Sequence, residues 1–320
     1  MECRRCSPAL KRAITDFGAD DPFAGAATKL KEHYGIDIPV STIRTITENQ
    51  GQLILFQQEQ ENPLPPQAGV AVLITEMDGS MLPVVETAEA SETALDRRKT
   101  RQLSWKEARL CLAHEPGSVT PVFAATTGGP EEAGKQWLQC TIAAGAGSGT
   151  TFHGLGDGAS WITDQLDLQF GTQARYLVDF YHLCEYLSAA ANVIAGNEKE
   201  SWMEEKKNWL KDNRWKEVLE SLAPFVEDAS IPDKDAPVRA GHRYIANRSN
   251  YLDYRGALAA GLPIGSGEIE SAHRYVFQRR LKIAGAWWKM ENLSKMIALR
   301  VLRANRDWDD YWAETYRKAA

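Results

Sequence analysis

A short run of uncharged apolar residues, VAVLIT at Val70–Thr75, most constrains what this chain can fold into. Its β-branched composition and the glycine before it are typical of a strand that is buried on both faces of a sheet. Further candidate strands follow at 108–113, 120–126, 150–155 and 176–178, and helical patterns intervene at 131–144 and 159–170. This alternation predicts an α/β fold with a mixed sheet flanked by helices. The polar residues 86–104 are expected to form a loop between strands.

The charge of the chain is unevenly distributed. The formal net charge is −6, yet residues 239–320 contain 15 Lys and Arg against 8 Asp and Glu. Such a basic segment can hold a polyanion even in a protein that is acidic overall. No apolar run reaches the ~18 residues that a membrane span needs, so no membrane partner is expected. The five scattered cysteines fit a reduced, cytoplasmic compartment, and Cys3 with Cys6 forms at best half of a zinc site.

The first 56 residues carry helical patterns around a turn. Apolar residues at helical spacing indicate a helix that Gly35 ends, and Ser41 is expected to cap a second helix. This layout predicts a helix-turn-helix-like module at 1–56, whose second helix presents Arg44 and Thr45 to DNA. Many helical hairpins of this pattern bind nothing, and that alternative stays open. The Gln- and Pro-rich residues that follow predict a linker at 57–68.

Acidic residues follow two of the predicted strands. Asp78 comes directly after the first strand, with Glu76 two residues before it, and Asp157 lies between glycines after a later strand. A late helix that begins after a Gly-Ser-Gly loop carries Glu268 and Glu270, either of which offers a third carboxylate. Three carboxylates at one edge of a sheet are suited to Mg²⁺ or Mn²⁺, and two such ions can clamp an in-line phosphoryl displacement.

The same late stretch is rich in cations and ends in two tryptophans. Contacts to DNA phosphates are expected from its four basic residues, Arg274, Arg279, Arg280 and Lys282. The pair Trp287-Trp288 could stack on an unpaired base, but a buried pair that closes the core is the favoured interpretation.

Two further segments have a helical pattern. Residues 197–262 combine many charges with tryptophans and predict an all-helical insertion. Residues 292–316 predict one long amphipathic helix. The chain is therefore expected to comprise a first core segment at 69–196, the insertion at 197–262, and the glutamate helix with the C-terminal helices at 263–320.

Four motifs, TEMDGSML, GLGDGASWI, YLVDFYHLCEYL and PIGSGEIESAHRYVFQRRLKIAGAWW, carry a resemblance to a known family. Together they resemble insertion-sequence transposases of the Kra group, which are bacterial relatives of Mutator-type transposases. The resemblance covers roughly Val70 to the end of the chain, and its last motif is the most specific. It implies a ribonuclease-H-like DDE core in which Asp78, Asp157 and Glu270 are the catalytic, metal-binding residues. Glu268 remains the rival of Glu270.

The resemblance also implies auxiliary residues. Asp179 and His182 match the Asp-x-x-His element that Mutator-like enzymes carry after the second aspartate. The residues themselves equally predict a helix that Asp179 caps, with His182 in the core. Both interpretations can hold together, in which case the pair orients the site without binding metal. Glu76, on the same strand face as Asp78, is a further auxiliary candidate.

The implied activity is metal-dependent DNA cleavage at transposon ends, followed by strand transfer into target DNA. The expected cofactor is a pair of Mg²⁺ or Mn²⁺ ions, and the expected partner is DNA. A homo-oligomer on DNA is expected because two ends must be held together, in the bacterial cytoplasm at the nucleoid. Two alternatives stay open: another nuclease on the same core, and a catalytically idle or N-terminally truncated DNA-binding relative.

Overall fold

The computed structural model describes residues 6–58, 61–87 and 101–319, and contains one five-stranded sheet. The strands are β1 (Val72–Thr87), β2 (Arg101–His114), β3 (Val122–Thr126), β4 (Thr151–Gly156) and β5 (Ala174–Val178). Their order is β3-β2-β1-β4-β5. The pairs β1–β2 and β2–β3 are antiparallel, whereas β1–β4 and β4–β5 are parallel. The prediction of a mixed sheet flanked by helices is confirmed. Cys3 lies outside the described residues.

The first two strands are longer than the sequence predicts. β1 does not end at Thr75 but continues to Thr87, and β2 begins at Arg101, so the loop prediction for 86–104 is wrong at both of its ends. The extension is held from outside the hairpin, because the backbone N–H of Val85 donates to the carbonyl of Trp288 at 2.8 Å. Asp78 therefore lies within a strand and not at its end.

Both faces of the sheet are covered. On β2, Leu110 and Leu112 face one apolar core, while Cys111 and Ala113 face the other. Side chains alternate along a strand, so this pattern shows that the sheet is buried from both sides. Helices α4 (Pro130–Ala143), α5 (Ser160–Phe170) and α6 (Phe180–Ile194) contribute to the core that Cys111 and Ala113 face.

Three helices precede the sheet: α1 (Pro8–Asp20), α2 (Phe23–Tyr34) and α3 (Val40–Gln58). Gly35 ends α2 with a φ of 67°, a conformation that glycine adopts without strain. The expected cap at Ser41 is wrong, because α3 already begins at Val40. α3 also extends through Gln58 into the predicted linker, and Arg44 and Thr45 are exposed on it.

The remaining helices follow β5. Residues 197–262 contain α7 (Lys199–Lys211), α8 (Trp215–Leu222), α9 (Pro237–Asn247) and α10 (Tyr254–Ala259), and no strand is found in this fully described range. Then come α11 (Gly267–Ala272), a π-helical turn (His273–Gln278), α12 (Arg279–Leu281), α13 (Met290–Ala304) and α14 (Trp308–Ala319). The single C-terminal helix predicted for 292–316 is wrong, since Arg306 has a φ of 65° and separates α13 from α14. No helix among the described residues is long and apolar enough to cross a membrane.

Candidate active site

Asp78 lies within β1, and Asp157 directly follows β4, the parallel neighbour of β1. The ladder between β1 and β4 ends with Glu76 opposite Leu155, and Asp78 and Asp157 each lie two residues beyond this last pair. Partners in a parallel register have side chains on the same face of the sheet. Asp78 accepts the backbone N–H of Gly79 at 2.7 Å. The sheet thus brings these two aspartates to one edge, although 78 residues separate them in the sequence.

Helix α11 is fixed to this edge by contacts with β1. The backbone N–H of Ile269 donates to Oε2 of Glu76 at 2.8 Å. One turn later, Nε2 of His273 lies 3.1 Å from Oδ2 of Asp78. Neither ring nitrogen of His273 has a hydrogen-bond partner among the described residues. His273 is 5% exposed. The sequence offered no signal that this histidine would meet Asp78.

The two candidate glutamates of α11 have different surroundings. Oε2 of Glu268 lies 3.0 Å from Nε2 of His114, a buried residue at the end of β2. Glu270 is exposed and lies three residues before His273, which places both on one face of the helix. Glu270 therefore lies one helical turn from the contact of His273 with Asp78 and is exposed to solvent.

The pKa of Glu76 reflects the burial and the negative charges around this edge. Its carboxyl group is 1% exposed, and burial raises the pKa of Glu76 to about 8. The negative charges of Glu268, Asp179 and Glu270 raise this pKa further, and the hydrogen bond from Ile269 lowers it. A carboxyl group with this pKa carries a proton at neutral pH. The edge is therefore a region of negative potential, in which Glu76 is a neutral group that anchors α11.

Asp179 ties the start of α6 to the loop before α11. Its Oδ1 accepts the backbone N–H groups of Tyr181 at 2.6 Å and His182 at 3.0 Å, which caps the helix. Its Oδ2 accepts the backbone N–H of Ser266 at 2.9 Å and also the Ser266 hydroxyl. Asp179 is 4% exposed, so these bonds satisfy a buried carboxylate.

The side chain of His182 takes no part in these hydrogen bonds. Its Nδ1 lies 3.5 Å from the Glu185 carboxylate, and its ring packs against Tyr186 and Tyr244. The structure shows Asp179 as the cap of α6. The expectation that His182 lies in the core is wrong, because its side chain is 37% exposed.

The helical insertion supports the Asp157 loop. The Tyr244 hydroxyl donates to the Asp157 carbonyl at 2.6 Å, and Nε of Arg248 donates to the Gly158 carbonyl at 2.9 Å. From β5, the Tyr176 hydroxyl accepts the backbone N–H of Gly158 at 3.0 Å. Gly158 has a φ of 76°, so a side chain there would be strained. These three positioning residues were not predicted from the sequence.

A comparison with protein families gives one match. The model of an uncharacterised protein family (UPF0236) matches residues 151–312, just over half of the chain. The chain belongs to UPF0236. The matched region includes Asp157, Asp179 and Glu270 and leaves out Asp78. No curated protein matches the chain.

The three candidate carboxylates have the oxygen atoms that a hard cation prefers, but they lie too far apart in this structure to bind one ion together. Asp78, Asp157 and Glu270 offer the oxygen ligands that Mg²⁺ and Mn²⁺ take. Among residues 6–58, 61–87 and 101–319, however, no three His, Cys, Asp or Glu side chains lie close enough together to hold one ion. An ion bound at this edge would thus draw the acidic groups closer together, and it would relieve their mutual repulsion.

The basic residues of the late stretch differ in accessibility. Arg274 and Arg279 are exposed, and Lys282 is half-buried with its Nζ 2.8 Å from the Ser80 hydroxyl. Arg280 was also predicted to contact DNA phosphates, but in the structure it is 2% exposed and packs over the Trp288 ring. Buried in this way, Arg280 does not lie on the surface where a DNA duplex would contact the other cations. Of the two tryptophans that were expected to be buried, Trp288 is buried and Trp287 is exposed.

Proposed function

We propose that this protein is a DDE-type transposase that cleaves DNA at transposon ends and transfers the freed strand into target DNA. The observation that carries the proposal is the meeting of three separate chain segments at one sheet edge. β1 supplies Asp78, the residue directly after β4 supplies Asp157, and α11, which is followed by the contact of His273 with Asp78, supplies Glu270. The proposal includes a ribonuclease-H-like identity for the mixed sheet, supported by the all-helical insertion between β5 and α11 and by the motif resemblance.

In the proposed site, Asp78, Asp157 and Glu270 would hold two Mg²⁺ or Mn²⁺ ions. When bound, such ions activate a water molecule or a 3′ hydroxyl and stabilise the leaving oxygen of a phosphodiester. The rest of the site positions these ligands. His273 contacts Asp78, Glu76 anchors α11, and Tyr244 fixes the loop of Asp157.

DNA is the proposed substrate, and its phosphates would meet the exposed cations. Arg274 and Arg279 follow Glu270 on the same helical stretch, and Arg44 and Thr45 are exposed on α3. Phosphate contacts of this kind position a duplex without reading its sequence. A homo-oligomer assembled on DNA in the bacterial cytoplasm completes the proposal, because strand transfer requires two ends.

The test is cleavage of linear DNA that carries the inverted repeats flanking the gene, with Mg²⁺ or Mn²⁺ present. Asp78→Asn, Asp157→Asn and Glu270→Gln should each lower cleavage by about three orders of magnitude or more while DNA binding persists. Glu268→Gln is the matched control on α11 and should retain most of the activity.

Other outcomes identify the alternatives. Full activity in any of the three variants would refute the site. A gel shift without cleavage by the unaltered protein would indicate an idle DNA-binding relative. Cleavage confined to an RNA strand or a four-way junction would indicate another nuclease.

A further inference from the structure

A cavity of about 480 Å³ lies between the N-terminal helices and the segment after α12. Its volume falls within the roughly 300–1,000 Å³ of small-molecule sites. Phe23 of α2 and Arg44 with Glu48 of α3 line one side. The other side consists of residues from 280 to 292, among them Arg280, Trp287 and Lys289. None of the carboxylates of the candidate active site lines this cavity.

A buried cation forms part of the cavity wall. Arg280 is 2% exposed, and its guanidinium carbon lies 4.9 Å from the ring centres of both Phe23 and Trp288. Its Nε donates to the Gly18 carbonyl at 3.3 Å, but its Nη2 has no hydrogen-bond partner among the described residues.

The charge of Arg280 is incompletely balanced. Burial lowers the pKa of Arg280 to about 10, and the neighbouring charge of Arg300 lowers it further. Asp20 and Asp21 act in the opposite direction, yet each is engaged elsewhere, Asp20 with Arg300 and Asp21 with Lys29. The guanidinium is still charged at neutral pH. A buried charge with an unmet hydrogen bond is costly, and an anion in the adjoining cavity would offset that cost.

Exposed cations and an exposed tryptophan line the cavity together. Trp287 is 39% exposed, and outside the cavity it meets Trp105 of β2 edge-on, with ring centroids 6.2 Å apart. Arg44 and Lys289, both exposed, line the same cavity as Trp287. Flat aromatic faces next to cations are the combination that binds a base together with its phosphate.

We propose that this cavity binds a nucleotide, with the phosphate held by Arg44 and Lys289 over the positive charge of Arg280, and the base stacked on Trp287. The nucleotide is either free or an unpaired residue of a DNA strand. In the second case the source of the strand rests on the proposed function. The binding itself requires no cleavage, so the two proposals fail separately.

The test measures binding of three probes to the full chain. These are a fluorescein-labelled single-stranded oligonucleotide, followed by anisotropy, and dAMP and inorganic phosphate, each followed by calorimetry. Trp287→Ala should weaken binding about 5- to 100-fold, the range expected for one stacked base. Arg44→Ala should weaken it about 5-fold or more at low salt and reduce the salt dependence by about one ion. Both side chains are exposed, and circular dichroism checks that the variants fold.

Two exposed residues far along the chain provide matched controls. Arg243→Ala on α9 and Phe225→Ala after α8 should leave the affinity unchanged. Binding of dAMP that both cavity variants weaken supports a free-nucleotide site. Oligonucleotide binding that both variants weaken, without dAMP binding, supports an unpaired nucleotide of a strand.

Three results would overturn the inference. In the first, neither nucleotide probe binds. In the second, both cavity variants bind as tightly as the unaltered chain. In the third, inorganic phosphate binds as tightly as dAMP and Trp287→Ala has no effect, which would exclude base recognition. The active-site variants Asp78→Asn and Glu270→Gln should keep this binding, which separates it from the cleavage proposal.

Discussion

Replacement of Asp179 by alanine should destabilise the fold more than the loss of an ordinary helix cap. Asp179 accepts two backbone N–H groups at the start of α6 and both donors of Ser266. Loss of a cap costs about 0.5–2 kcal/mol. Ser266 is 7% exposed, and a buried donor left without an acceptor costs about 1–3 kcal/mol. Together these terms give a decrease of about 1.5–5 kcal/mol in the free energy of unfolding.

Urea denaturation measures this decrease, and Asp253→Ala provides the matched control. Asp253 caps α10 by accepting the backbone N–H of Gly256 at 2.9 Å, and it lies at the surface. Asp253 also accepts the side-chain N–H of Asn213 at 2.6 Å in an exposed hydrogen bond. Its replacement should cost about 0.5–2 kcal/mol for the cap and little more, because water can replace the exposed bond.

A double-mutant cycle with Ser266→Ala isolates the tie between the two segments. The coupling energy of residues in one buried hydrogen-bonded group is about 0.5–3 kcal/mol. Cleavage activity should fall along with stability in Asp179→Ala, because the tie positions the helix of Glu270. The reasoning fails if Asp179→Ala costs no more than Asp253→Ala and the two substitutions of the cycle are additive.

Two further predictions concern packing and pH. Gly51→Ala should lower the free energy of unfolding by about 1–3 kcal/mol in urea denaturation, since its Cβ would collide with the Lys295 carbonyl where α3 packs on α13. The open position Gly129→Ala is the control, and equal stability of the two variants would contradict this packing. Burial lowers the pKa of His153, so the unfolded chain binds a proton there more readily than the folded chain. The free energy of unfolding should therefore fall as pH drops from about 7 to about 5, below the ordinary histidine pKa of ~6.5. His153→Gln should flatten this fall in urea titrations at several pH values, whereas the exposed His33→Gln should not; an unchanged slope in His153→Gln would exclude His153 as its source.

The short buried strands were predictable from the sequence, and the hairpin extension was not. β3, β4 and β5 begin within two residues of the expected positions, because apolar runs between loop residues mark a strand buried on both faces. The outer half of the β1–β2 hairpin has no such pattern. Its order depends on a backbone contact with Trp288, which lies about two hundred residues away and leaves no local signal.

The candidate site was predictable in its acidic residues but not in its supports. The acidic residues are visible in the sequence, although Asp78 lies within β1 and not after it. The contact of His273 with Asp78 depends on how α11 docks and leaves no such signal. For Arg280 the sequence led to a wrong expectation about burial. An arginine in a basic stretch is expected at the surface, yet aromatic rings from two distant segments enclose this one.

The base of the helical insertion explains how Glu270 keeps its place. The chain leaves the sheet at Phe180 and returns at Ile264, where the Phe180 N–H donates to the Ile264 carbonyl at 2.9 Å. The hydrogen bond from Ser266 to Asp179 joins the same two chain segments. In addition, Nε2 of His153 on β4 lies 2.8 Å from the Pro263 carbonyl. Because these bonds join both ends of the insertion to the sheet, they fix the position at which α11 begins. The helices of the insertion contact the Asp157 loop separately, through the hydrogen bond of Tyr244, so the support of Asp157 does not depend on the position of Glu270.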